Sequence, residues 1–79
     1  MKKQTPHPEQ IYQLKCELGD YFSQIRRSKG ISLDAASQLA YVSKDIICNF
    51  ENGKANLTLD KLFSLAIAYE IKIFAEQGK

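Results

Sequence analysis

Three hydroxyl residues, Ser32, Ser43 and Thr58, each stand just ahead of a short run with helical spacing of apolar residues. Each is placed to be an N-cap, its oxygen accepting one of the free backbone N–H groups of a first helical turn. Gly30 and Gly53 close the runs that end in front of them, because glycine tolerates the left-handed turn that stops a helix. These five positions confine the middle of the chain to helices of two or three turns. Helices that short are marginal alone, so they must be held by one another. In the run opened by Ser43, Ile47 and Phe50 lie three apart and point inward. Lys44, Asp45, Cys48 and Asn49 point elsewhere.

The remaining chain supplies what such helices need to pack against. Ile11, Leu14, Leu18, Phe22 and Ile25 recur at steps of three and four, one stripe of a long amphipathic helix reaching about Lys29. LDAASQLA, after Ser32, is short and rich in alanine, which lets a neighbour approach closely. Tyr41 and Val42 form the turn before Ser43. After the loop KANL, Thr58 opens a last helix with Leu59, Leu62, Phe63, Ala66 and Ile67 as the expected buried stripe. From Ile71 the period changes to two, with Ile71, Ile73 and Ala75 alternating with Lys72, Phe74 and Glu76. β-Branched residues in that pattern favour a strand over residues 71–75, and one last helical turn is the alternative. A single strand needs a partner, and the rest of the chain offers none.

Composition narrows the class. With 79 residues the chain makes one small domain, and 44% hydrophobic with 25% charged residues is a globular balance, not a disordered one. No apolar run reaches the roughly 18 residues of a membrane span, and MKKQTPHPEQ lacks the apolar segment of a signal peptide. Residues 1–8 read as a flexible arm, 9–70 as the folded domain and 71–79 as a dimerisation strand and tail. A cytoplasmic location is expected, with Cys16 and Cys48 as reduced thiols. With His7 the sole histidine, these give no metal-ligand spacing, so neither a metal nor any other cofactor is expected. Nucleophile–base pairs and paired acids in a cleft are not discernible, so no enzyme is expected. The net charge of +2 decides nothing unless it gathers on one face.

Two short helices joined by a tight turn make a helix-turn-helix. Over residues 18–70 the chain resembles the Cro/C1-type helix-turn-helix family without a gap: LGDYFSQIRRSKGIS, LDAASQLAYVS, KDIICNFENGK and LTLDKLFSLAIAYE. The resemblance implies an all-α, lambda-repressor-like domain of four to five helices whose third helix enters the DNA major groove. It implies a structural ion pair between Arg26 and Glu51. Ser43, Lys44, Asp45, Ile46 and Asn49 would then face the bases, with Lys44 suited to guanine, Asn49 to adenine, Asp45 to cytosine and Ile46 to a thymine methyl. Ser32, Asn52, Lys54 and Asn56 would face phosphates. The sequence departs from the family pattern at Leu33, where a phosphate-binding Gln is common, at Tyr41, where Gly is usual, and at Ser37, usually Ala.

CNFENGKANLTLDKLFSLAIAYEIKIFA further resembles the HipB-type antitoxins, in the Asn-Phe-Glu-Asn run, the Thr-Leu helix opening and the alternating tail. That branch implies a homodimer in which Ile71, Lys72, Ile73, Phe74 and Ala75 pair with the same strand of a second copy. It also implies repression of the protein's own operon at a palindromic operator and binding of a HipA-like kinase toxin, in association with the nucleoid. The alternatives are a prophage or restriction-modification regulator without a toxin, and an interaction module that does not read DNA.

Overall fold

The computed structural model describes residues 6–72, which form four helices: α1 Pro8–Ser28, α2 Leu33–Ala40, α3 Lys44–Glu51 and α4 Leu59–Ala68. α1 begins on a proline, whose preset φ suits a first helical position and whose missing N–H would be unpaired there anyway. The hydroxyls of Ser32, Ser43 and Thr58 accept from the backbone N–H groups of Ala35, Ile46 and Lys61 at 3.0, 3.2 and 3.2 Å. Among the described residues no helix is long and apolar enough to cross a membrane.

Three helices end in one kind of turn. Ile31 N–H donates to the Arg26 carbonyl and Gly30 N–H to that of Arg27. Lys54 and Gly53 do the same to Asn49 and Phe50, and Ile71 and Glu70 to Ala66 and Ile67. These are Schellman turns, which satisfy the last carbonyls through a residue at positive φ. Gly30 and Gly53 take that position at φ 70 and 75, whereas α4 uses Glu70 at φ 62.

The core is Phe22, Ala36, Ala40, Val42, Ile47, Phe50, Leu65, Ala66 and Tyr69. Phe22 is central, its ring meeting Phe50 edge-on at 5.3 Å and Tyr69 at 6.1 Å. α1 packs on α3, α3 on α2 and α2 on α4. Gly19 lets α1 come close to the end of α3. A Cβ there would collide with the Phe50 carbonyl oxygen and lie 2.9 Å from that of Glu51.

Two expected stripes are corrected. On α1, Leu14 and Leu18 are exposed, and burial starts at Gly19 and Phe22. A 21-residue helix is about 32 Å long, over twice its partners, so its first half runs past the bundle. On α4 the inward residues are Leu65, Ala66 and Tyr69, with Leu62 partly buried, while Leu59, Phe63 and Ile67 face out. That helix is apolar on two sides, and the large ring of Tyr69 selects which one meets the core.

The expected strand over residues 71–75 is also altered where it is described. Ile71 and Lys72 are in neither strand nor helix. The Ile71 N–H is spent on the Ala66 carbonyl at 2.7 Å and its side chain packs on the core. The turn at Glu70 also rules out a further helical turn there. Ile73, Phe74 and Ala75 lie outside the described residues.

Candidate nucleic-acid interface

The α2–α3 unit is built around the turn at Tyr41. This residue closes α2 in the left-handed conformation, φ 57 and ψ 40, and its N–H donates to the Ser37 carbonyl at 2.9 Å. A non-glycine residue here costs about 1–2 kcal/mol. Tyr41 leaves its side chain 93% exposed, while Val42 beside it is buried and anchors the turn. Leu33, where the phosphate-binding Gln is absent, packs against the core instead.

α3 divides cleanly. Ile47 and Phe50 are buried; Ser43, Lys44, Asp45 and Asn49 are exposed on the other side. Ile46 and Cys48 lie between, and Ile46 packs partly on the core, which leaves less of it to reach a thymine methyl. Lys44 Nζ is paired with the carboxylate of Asp34, in the first turn of α2, at 3.0 Å. Asp34 is therefore the carboxylate that Lys44 meets in this structure. Both side chains are more than half exposed, so this pair is weak and exchangeable.

The expected phosphate-facing residues fall into two groups. Ser32 and Lys54 are exposed, and the Ser32 hydroxyl, accepting from Ala35, keeps its own hydrogen to donate. Asn52 instead turns back, its Nδ2 donating to the Cys48 carbonyl at 2.9 Å, so it finishes α3. Asn56 accepts from Lys15 of α1. Lys15 and Asp34 were missed in the sequence because their partners lie on other helices, beyond any local spacing rule.

Arg26 holds this unit to α1. Its Nε and Nη2 donate to the two Glu51 oxygens at 2.7 and 2.9 Å, and Nη1 donates to the Ile31 carbonyl at 2.8 Å. Both side chains are nearly buried. The hydrogen bonds that Arg26 donates to the Glu51 carboxylate raise the guanidinium above its usual pKa, against the opposing effect of desolvation. Such a pair fixes geometry more than it adds net stability. The phenol of Tyr69 is pushed up to about 12, chiefly by burial and then by the charge of Glu51, with Arg26 acting the other way. Its hydroxyl is buried and has no hydrogen-bond partner among the described residues.

A family model described as Helix-turn-helix, the Cro/C1 type, matches residues 22–74, more than half of the chain. The chain belongs to that family. Members of this family bind double-stranded DNA, and the class is that of transcription regulators. Neither curated proteins nor solved structures gave a significant match. The four helices and the turn at Tyr41 are the family's helix-turn-helix carried by this sequence.

Proposed function

We propose that the protein is a sequence-specific, dimeric repressor that binds a palindromic operator through α3 and regulates its own operon as a HipB-type antitoxin. The observation that carries the DNA part is the division of α3. Ile47 and Phe50 lock one side into the core, and Lys44, Asp45 and Asn49 are presented together on the other. The Arg26–Glu51 clamp sets the angle of that helix against α1. In this reading Ser43, Lys44, Asp45 and Asn49 read bases, with Lys44 released from Asp34 when it meets a guanine. Ile46 adds a partial apolar edge. Ser32 and Lys54 contact phosphates, and the free N–H groups at the start of α2 add to them. Asn52 and Asn56 hold the loop that carries Lys54.

The antitoxin part is supported by the likeness of residues 48–75 to the HipB branch, and its partner is a HipA-like kinase. Two measurements separate the parts. Fluorescence anisotropy on the DNA upstream of the protein's own gene should show a complex that weakens steeply between 50 and 200 mM salt, as released counterions require. Co-expression with the kinase-like product of a neighbouring reading frame should yield a stable complex that suppresses toxicity. Operator binding without such a complex replaces the antitoxin by a prophage or restriction-modification type of regulator. A complex without DNA binding leaves only the interaction module.

A further inference from the structure

Tyr41 holds the left-handed turn at φ 57 and ψ 40, a conformation that glycine adopts freely and a tyrosine only under strain. Its backbone duty is one hydrogen bond, from its N–H to the Ser37 carbonyl, which a glycine would make equally well. The ring adds nothing to the fold. It is 93% exposed, more than any other large apolar or aromatic side chain among the described residues. Glu70, strained in the same way at φ 62, at least sets its carboxylate beside Lys29. A strained residue with an idle side chain points to a role outside the folded chain.

We propose that Tyr41 is a DNA-backbone contact, its phenol hydroxyl donating to a phosphate at the edge of the groove that α3 enters. The proposal rests on the DNA-binding reading above and adds to it a residue supplied by the turn and not by α3. Tyr41 precedes Ser43 by two residues, at most about 7 Å of chain, and the major groove is about 12 Å wide. With Ser43 and Lys44 at the base edges, the residue just ahead of them passes close to one phosphate wall.

A phenol suits that place. It is a neutral donor on a rigid ring with few torsions, so little freedom is lost when it meets an oxygen. A protein partner is the poorer match. From residue 38 to 45 the exposed neighbours are Gln38, Leu39, Ser43, Lys44 and Asp45, and all but Leu39 are polar or charged. The turn would be least strained with glycine, and keeping a tyrosine there trades some stability for what the ring reaches.

Fluorescence anisotropy on the DNA upstream of the protein's own gene and on a random duplex of equal length, with thermal melts alongside, tests the contact. Tyr41→Gly should melt no lower than the wild type, because released strain offsets the freedom that glycine adds to the unfolded chain. Its affinity should nevertheless fall about 10-fold or more, the loss of one hydrogen bond to a charged group. The fall should be equal on both DNAs, since a phosphate carries no sequence. Tyr41→Phe keeps the ring and should lose nearly as much. Neither variant should change the slope of affinity against salt, because a neutral phenol releases no counterion, whereas Lys54→Ala should lower that slope by about 1. A Tyr41→Phe that binds both DNAs like the wild type overturns the contact and leaves the DNA-binding reading standing. So does a loss confined to the upstream DNA, which would make Tyr41 a reader of bases, or a Tyr41→Gly that melts lower, which would make the ring part of the fold. A wild type that binds neither DNA overturns both.

Discussion

α3 and α4 are built alike and used oppositely. Each is opened by a hydroxyl N-cap, closed by a Schellman turn and fixed by aromatic packing against Phe22. α3 turns Lys44, Asp45 and Asn49 to solvent, whereas α4 turns out Leu59, Phe63 and Ile67. The core therefore accounts for one side of each helix and says nothing of the other. What differs outside is the chemistry presented to solvent: charged and amide side chains on α3, large apolar ones on α4.

The comparison breaks first at the shared centre. Phe50→Ala should cost about 3–5 kcal/mol, enough to unfold a domain whose stability is of order 5 kcal/mol. Thermal melts followed by circular dichroism would show it, and an unchanged midpoint would mean the ring is not part of the core. Asn49→Ala should leave the fold intact and weaken specific DNA binding by about 1–3 kcal/mol, with much less effect on random DNA. Equal losses in an anisotropy titration of both DNAs would reduce Asn49 to a backbone contact.

A third experiment reads the buried end of α4. The Tyr69 phenol is harder to ionise in the folded protein, about 12 against an ordinary 10. Its contribution is complete below pH 10 and is lost as the pH rises toward 12. Between those limits the wild type should lose roughly 1–2 kcal/mol relative to Tyr69→Phe. Urea titrations of both proteins at pH 8 and pH 11 measure the difference, and parallel losses would show that the phenol reaches water. The smallest effect is expected where the first turn of α2 meets Lys44 of α3. Asp34→Asn should change stability by less than about 1 kcal/mol and strengthen DNA binding a few-fold at low salt. Weaker binding would mean that Asp34 positions Lys44 productively and does not compete with phosphate.

The helix-turn-helix was legible because its signals are local. Ser32, Ser43, Gly30 and Gly53 act within one turn of chain, and Ile47 and Phe50 declare their side by spacing alone. α4 was less legible because both its sides are apolar, and only the packing of Tyr69 on Phe22 chooses between them. Leu14 and Leu18 carried a correct helical period on a stretch of α1 that the described residues leave exposed. The Lys44–Asp34 and Lys15–Asn56 pairs depend on which helices come together, a tertiary fact that no residue spacing contains. Gly19 sits inside α1, where glycine weakens a helix. Only the arrival of the Phe50 and Glu51 carbonyls gives its missing side chain a reason.

The packing of Tyr69 on Phe22 also bears on how the protein is made. Synthesis delivers α1 first, and Arg26 must wait 25 residues for Glu51. Phe22 waits longer still, until Tyr69 has cleared the ribosome and can close the core over it. α2 and α3 therefore emerge before the last side chain that holds them together. An aborted product ending ahead of α4 should carry the whole helix-turn-helix as sequence and none of it as a shape. Occupancy of DNA would then count finished chains, not started ones.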